Sequence, residues 1–204
     1  MEIKICGITK EYEIDKLIEQ KVEYAGFVIN YPKSKRNNSL EEVEGLLKYI
    51  KEKQGNIKTV AVTVSPTLKQ IKQIEQLGFD ILQVHKDLLP QVLEETRLPI
   101  FRAINIGEDA DINVEDSEKI IGILVDAKIP GNGEVFDWNK IKGFDRKNKK
   151  FILAGGLNKS NIREGISKVN PDIVDCSSGV ESDNKEIVGK DVKKIEEFVK
   201  EVRR

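Results

Sequence analysis

The sequence predicts the α/β class and, within it, a compact single (β/α)₈ TIM barrel. Short runs rich in Ile, Val and Phe recur at eight places along the chain, as expected of buried parallel strands. Most gaps between them hold apolar residues at helical spacing. Eight is also the number of strands that closes a small barrel, so we favour a closed barrel over an open, doubly wound sheet.

The eight predicted strands are Ile3–Cys6, Tyr24–Ile29, Thr59–Val64, Ile81–His85, Ile100–Ile104, Gly122–Asp126, Phe151–Ala154 and Ile173–Cys176. The predicted helices are Glu13–Lys21, Leu40–Lys53, Leu68–Leu77, Leu88–Glu95, Asn161–Lys168 and Lys190–Arg203. Ser39 and Glu42 form a capping-box pattern at the start of the second helix.

Two gaps lack a helical pattern. Gly107–Asn113 is acidic and poorly periodic, so the helix after strand five should be short or missing, and Pro130–Glu134 is a predicted loop. The chain has 204 residues, whereas such barrels typically have about 250, which requires short loops. With no linker or change of composition, we expect one domain over 1–204.

Composition excludes several classes of protein. The 34 basic and 35 acidic residues nearly balance, so no basic surface for nucleic acid is expected. No apolar run approaches the ~20 residues that span a bilayer. The N-terminus begins directly as a strand, and we expect no secretory signal and a cytoplasmic location. One histidine and two separated cysteines argue against a zinc site.

Glycines follow the last two strands. Gly155 and Gly156 come after strand seven, and Ser178 and Gly179 come after strand eight. Barrels commonly bind phosphate in these two loops, because glycine allows an anion to approach the backbone closely. The pattern therefore predicts a phosphate site, although either loop alone could be an ordinary turn.

Other chemically active residues also stand at strand ends, where barrel active sites lie. Cys6 ends strand one and would be a base only as a thiolate, which neighbouring phosphate-binding amides could favour. Asp126 ends strand six and would be an acid only if burial raised its pKa. Arg36 offers a guanidinium for a substrate carboxylate, and His85 follows strand four as a supporting polar residue.

Strand alternation predicts a buried ion pair. If Cys6 points into the barrel, Lys4 also points inward, one layer deeper. If Cys176 points outward, Asp175 points inward. Because lone buried charges are costly, we expect Lys4 and Asp175 to pair, with Arg102 or Gln83 nearby.

These motifs resemble one family, the phosphoribosylanthranilate isomerases of tryptophan biosynthesis. The segments that carry the resemblance are 4–9 (KICGIT), 26–28 (GFV), 32–36 (PKSKR), 83–85 (QVH), 124–126 (LVD), 131–133 (GNG), 136–138 (FDW), 153–158 (LAGGLN), 175–181 (DCSSGVE) and 189–191 (GKD). They cover nearly the whole chain in order, and the first and the 175–181 segments are the most specific.

The resemblance implies an aldose–ketose isomerase that performs an Amadori rearrangement without a cofactor. It implies that Cys6 is the general base and Asp126 the general acid. Arg36 corresponds to a position near the anthranilate carboxylate or near the acid, and we favour the carboxylate. The chain departs from the family at Lys86, where glycine is usual after the histidine, and in its second and sixth loops.

Two other functions remain open from the residues alone. One is another phosphosugar isomerase, epimerase or decarboxylase on the same barrel, which would need a different set of acid and base residues. The other is an inactive barrel that binds a ligand or serves as a scaffold. Both Cys6 and Asp126 would be unexpected in either case.

Overall fold

A computed structural model describes residues 1–106, 115–127, 135–141, 143–184 and 187–204. Eight parallel strands form a closed barrel: β1 Glu2–Cys6, β2 Tyr24–Ile29, β3 Lys58–Val64, β4 Ile81–His85, β5 Ile100–Ile106, β6 Ile120–Ala127, β7 Lys150–Leu153 and β8 Ile173–Cys176. Each strand pairs with the next, and β8 pairs with β1 to close the sheet. The predicted fold class is confirmed.

Six α-helices lie among the described residues: α1 Glu11–Glu19, α2 Leu40–Glu52, α3 Leu68–Leu77, α4 Pro90–Glu95, α5 Ile162–Val169 and α6 Val192–Arg203. A two-residue strand, Asn37–Asn38, extends the sheet beside β2. The capping box predicted at Ser39 is present, with the N–H of Glu42 donating to the serine hydroxyl. No helix in the described part of the chain is both long and apolar enough to cross a membrane.

Several helix boundaries differ from the prediction because capping residues override periodicity. Helix α1 begins at Glu11, not Glu13, since the Glu13 carboxylate accepts the N–H of Lys10 and caps the first turn. Helix α4 begins at Pro90, which suits a first helical position. Helix α6 begins at Val192, since the Asp191 side chain accepts the N–H groups of Lys193 and Lys194.

The gap between β5 and β6 is only partly described. Residues 115–119 form no helix, and the rest of the segment predicted to lack one lies outside the described residues. The loop predicted at Pro130–Glu134 also lies outside them, and a short 3₁₀ helix, Trp138–Ile141, follows it.

Side chains alternate between two apolar layers. A large cluster fills the space between the strands and the surrounding helices. A smaller cluster fills the barrel interior and includes Cys6, Tyr24, Phe101, Leu124 and Ile152. The inward positions near the carboxyl ends of the strands carry the polar residues, so the fold collects them at one end.

The opposite, amino-terminal end of the barrel uses carboxylates to fix the strands. Glu23, Asp80 and Asp172 each stand immediately before a strand and accept the N–H of a residue in a neighbouring strand, at 2.7–2.8 Å. These bonds satisfy strand N–H groups that would otherwise lack an acceptor at this end.

Candidate active site

A cavity of about 430 Å³ opens at the carboxyl ends of the strands. Its volume falls in the range of small-molecule sites. Nine of the residues predicted for the site line it: Cys6, Arg36, Gln83, His85, Asp126, Gly155, Gly156, Asp175 and Ser178. Lys4 and Gly179 do not line it.

Lys4 and Asp175 form a buried ion pair at the base of the cavity, which Asp175 lines. The two residues are direct partners in the β1–β8 register, and Lys4 Nζ donates to Asp175 Oδ2 at 3.0 Å. Their side chains are 0% and 7% exposed. The pairing predicted from strand alternation is confirmed.

Arg102 takes no part in this pair, contrary to the expectation that it could lie nearby. Its neighbours Phe101 and Ala103 point into the barrel, so Arg102 points outward and donates to Glu115 at 3.0 Å. Gln83 does point inward, and its Nε2 lies 2.9 Å from His85 Nε2. Burial lowers the pKa of His85 to about 4, so this imidazole is neutral at physiological pH.

Asp126 has the electrostatics of an acid that titrates near neutrality. It is buried, and burial raises its pKa to about 7, although its Oδ1 accepts the N–H of Ala127 at 2.8 Å. Gly155 packs directly against it, and a Cβ on Gly155 would lie 3.2 Å from Asp126 Oδ1. The carboxyl group is therefore partly protonated at pH 7, as proton donation requires.

Cys6 is a free, buried thiol that lines the same cavity. Burial raises its pKa, and Asp175 adds to the rise, while Lys4, Lys190 and Arg36 oppose it. The lowering suggested from neighbouring amides is therefore not found in this structure, because desolvation is the larger effect. Cys176 differs, since it packs outside the barrel and its thiol contacts the carbonyl oxygen of Leu157 at 3.1 Å.

Three cations share one carboxylate beside Cys6. Glu181 accepts from Arg36 Nε, from Lys35 Nζ at 2.8 Å and from Lys190 Nζ at 3.2 Å. Burial opposes ionisation of Glu181, but these bonds lower its pKa to about 2. Cations outnumber carboxylates in this cluster, which makes this side of the cavity suited to an anion.

Lys190 was missed as a site residue by sequence reasoning, which used it only to mark the last helix. Its ammonium is fully buried and also donates to the carbonyl oxygen of Ser177 at 3.1 Å. Its backbone N–H donates to Glu13, which also accepts the N–H of Thr9. A lysine beside a predicted helix start is usually exposed, so no pattern in the sequence indicated this burial.

The loops after β7 and β8 approach each other closely. Gly155 and Gly156 have φ values of +84° and +63°, a region that favours glycine. A Cβ on Gly179 would lie 2.0 Å from the carbonyl oxygen of Leu157, so only glycine fits there. Within the described part of the chain, the backbone N–H groups of Gly155, Gly156 and Ser178 have no protein acceptor.

Fold and site together define the class of protein: a (β/α)₈ barrel whose mouth is equipped for acid–base chemistry on a small molecule. The family model described as N-(5′-phosphoribosyl)anthranilate (PRA) isomerase matches residues 3–201. The chain therefore belongs to this isomerase family, and its function is an isomerisation in tryptophan biosynthesis, as the motifs implied.

Individual relatives agree with this assignment. The N-(5′-phosphoribosyl)anthranilate isomerase of Streptococcus mutans is 36% identical over 204 residues, which covers 100% of this chain and 99% of the relative. The crystal structure of the Thermotoga maritima isomerase superposes with a TM-score of 0.83 at 28% identity, covering 100% of this chain and 98% of that one. A structure of the isomerase in complex with reduced 1-(o-carboxyphenylamino)-1-deoxyribulose 5-phosphate superposes at 0.81, with 27% identity and the same coverage.

Proposed function

We propose that this chain converts N-(5′-phosphoribosyl)anthranilate into 1-(2-carboxyphenylamino)-1-deoxyribulose 5-phosphate, with Asp126 as general acid and Cys6 as general base. The observation that carries these roles is that both side chains line one cavity while the pKa of Asp126 is raised to about 7. The two residues stand on strands that are not neighbours, so they can reach the substrate from different sides.

Asp126 and Cys6 each carry out one proton transfer in the proposed reaction. Asp126 gives its proton to the ring oxygen, which opens the furanose and leaves a protonated imine at the anomeric carbon. The Cys6 thiolate then takes the proton from the neighbouring sugar carbon, and the electron pair of that C–H bond forms the carbon–carbon double bond of an enamine. This enamine also carries a hydroxyl on the former C–H carbon, so tautomerisation, in which the anomeric carbon gains a proton and that hydroxyl loses one, gives the ketose product.

We assign the substrate phosphate to the loops after β7 and β8. The N–H groups of Gly155, Gly156 and Ser178 are free to donate to phosphate oxygens, and Gly179 allows the two loops to meet. The amide nitrogen of Asn161 donates to the carbonyl oxygen of Gly156 at 3.0 Å, which holds this loop in position.

We assign the anthranilate carboxylate to Arg36. Its guanidinium is held at the cavity wall by Glu181, and the surplus positive charge of the Lys35–Arg36–Lys190 cluster attracts a second anion. Arg36 also opposes the raised pKa of Asp126 without cancelling it. Gln83 and the neutral His85 support the site as buried hydrogen-bonding groups on β4.

Turnover of N-(5′-phosphoribosyl)anthranilate, followed by loss of anthranilate-type fluorescence, tests these roles. We expect an active wild type, and Cys6→Ser and Asp126→Asn variants that remain folded but lose about 10²–10⁴-fold in kcat. A wild type that binds a phosphosugar without turnover would contradict the activity. Two folded variants with near-normal kcat would contradict the residue roles.

We also propose that residues 1–204 form one domain, that the chain acts in the cytoplasm, and that it binds neither nucleic acid nor membrane. Support for the location comes from Cys6 and Cys176, which are both free thiols. A base that must be a free thiol suits a reducing compartment.

A further inference from the structure

Lys4 and Cys6 share a small space inside the barrel. Both point inward from β1, two residues apart, and Gly26 faces Cys6 from β2. A Cβ on Gly26 would lie 3.0 Å from Lys4 Nζ and 3.1 Å from Cys6 Sγ. The missing side chain at position 26 therefore leaves room for the ammonium and the sulfur to lie side by side.

The Lys4 ammonium is positioned by Asp175 rather than by solvent. Its side chain is 0% exposed, and its bond to Asp175 Oδ2 comes from the opposite side, across the β1–β8 pairing. Asp175 Oδ1 is buried and has no hydrogen-bond partner among the described residues, so only one oxygen of this carboxylate is bonded to Lys4. The pair is a fixed dipole whose positive end adjoins the sulfur.

We propose that Lys4 is the positioning residue that stabilises the Cys6 thiolate, and that Asp175 holds Lys4 in place while weakening its effect on the sulfur. The inference rests on the proposed role of Cys6 as base. A buried thiolate needs a cation nearby, and Lys4 is the cation that adjoins the sulfur from the same strand.

The other charged groups around Cys6 are engaged elsewhere. Lys190 and Arg36 both share Glu181, and Lys190 also bonds to Ser177. Lys190 Nζ lies over Gly7, 3.2 Å from where a Cβ would be, and so adjoins the residue after Cys6. Burial lowers the pKa of Lys4, but Asp175 and Cys6 more than offset this effect, which keeps Lys4 charged.

The proposal predicts opposite effects from two variants. Asp175→Asn removes the opposing carboxylate but keeps an oxygen that can accept from Lys4 Nζ, so the ammonium stays in place with the Cys6 thiolate as its partner anion and the thiolate becomes more populated. Lys4→Met combined with Asp175→Asn removes both charges, so the thiolate becomes less populated. Replacing a buried ion pair by uncharged residues is often tolerated, which makes the double variant a practical one.

Alkylation of Cys6 by iodoacetamide between pH 6 and 10, read by peptide mass spectrometry, measures the thiolate without any turnover. At pH 8 we expect Cys6 to react about 5–10-fold faster in Asp175→Asn and about 5–10-fold slower in the double variant. Cys176 is the internal control: it is 1% exposed and packs outside the barrel against the Leu157 carbonyl oxygen, so its labelling stays low in every folded variant.

Shifts of Cys6 in the same direction in both variants, or no shift in either, would overturn the proposal. If increased Cys176 labelling shows that a charge variant is partly unfolded, the Gly26→Ala variant is used as the test instead. It keeps every charge but places a methyl group between Lys4 and Cys6, and an unchanged Cys6 rate would overturn the proposal. Because labelling needs no turnover, an inactive wild type would contradict the proposed function and leave this result standing.

Discussion

The two ends of the barrel place charged side chains in different environments. At the amino-terminal end, Glu23, Asp80 and Asp172 accept strand N–H groups, and Lys150 pairs with Glu2 where both are about two-fifths exposed. At the mouth, several charged residues are buried, namely Lys4, Asp126, Asp175 and Lys190. Several polar atoms there lack partners among the described residues: Gln83 Oε1, His85 Nδ1 and Asp175 Oδ1.

This contrast separates stability from chemistry. A hydrogen bond to a strand N–H contributes to stability in the free protein. A buried carboxyl whose pKa is raised to about 7 lowers the stability of the folded protein at neutral pH, since the fold disfavours its charged form. Burial of reactive groups at the mouth therefore lowers the stability of the fold. Variants at the mouth should mainly affect turnover, and variants at the amino-terminal end should mainly affect the free energy of unfolding.

The largest expected effect comes from the mouth. Asp126→Asn should lower kcat by about 10²–10⁴-fold because the amide cannot donate the proton. The same variant should be at least as stable as the wild type at pH 7, since it removes a buried charge. Kinetics and denaturant unfolding on one preparation check both parts, and a marked loss of stability at pH 7 would contradict the contrast between the two ends.

Gly179→Ala should raise KM by about 10–100-fold with a smaller effect on kcat, because it displaces groups that position the substrate. The new methyl group would meet the Leu157 carbonyl oxygen, so the loops after β7 and β8 must move apart. Inhibition by inorganic phosphate gives an independent measure of the same loops. Gly45→Ala is a matched control at a glycine in helix α2 where nothing lies within 4 Å of a Cβ, and it should leave KM unchanged.

Asp172→Ala tests the amino-terminal end. It removes the acceptor for the Phe151 N–H and should lower the free energy of unfolding by about 1–3 kcal/mol. Turnover per folded molecule should stay within about twofold of the wild type, because the site lies at the other end of the barrel. A large loss of kcat in the folded variant would mean that the two ends are coupled.

The pH dependence follows from the order of two pKa values. Since the pKa of Asp126 is about 7 and that of the Cys6 thiol is raised above its usual value, the form with protonated Asp126 and ionised Cys6 is a minor one. Its population rises with pH up to about 7, stays level, and falls only in the alkaline range. We therefore expect kcat/KM to rise about tenfold per pH unit below 7 and then level off.

Stability should move the other way over the acidic range. The folded pKa of Asp126 lies above its unfolded value of 3.8, so its contribution is fully present below pH 4 and is lost as pH rises towards 7. Unfolding of wild type and Asp126→Asn across this range measures the difference. If the free energy of unfolding changed with pH in the same way for both proteins, the raised pKa of Asp126 would be contradicted.

The smallest expected effect concerns Lys86, which follows β4 at the mouth with φ +57°. Glycine is usual at this position in the family that the chain resembles, and glycine accepts this conformation without strain. Lys86→Gly should raise the free energy of unfolding by up to about 1 kcal/mol. The variant removes the cost of a left-handed lysine, and the greater backbone entropy of glycine in the unfolded chain offsets part of that gain. Thermal unfolding checks the sign.

Local sequence patterns were sufficient to predict all eight strands, because fully buried strands are short apolar runs, whereas most of the segments between them carry apolar residues at helical spacing. Strand alternation was also sufficient for the Lys4–Asp175 pair, which depends only on parity and on the cost of lone charges. Helix ends were less predictable, since capping contacts such as those of Glu13 decide them.

Only the tertiary structure decided the electrostatics of the mouth. The raised pKa values of Asp126 and Cys6 arise from burial, and the Glu181 cluster joins residues from the β2 loop, the β8 loop and the start of α6. Desolvation and long-range pairing depend on which side chains surround a group in space. The sequence by itself therefore determined the barrel and most of the residues at its mouth, whereas Lys190, the protonation states and the partners depended on how the closed sheet brought the side chains together.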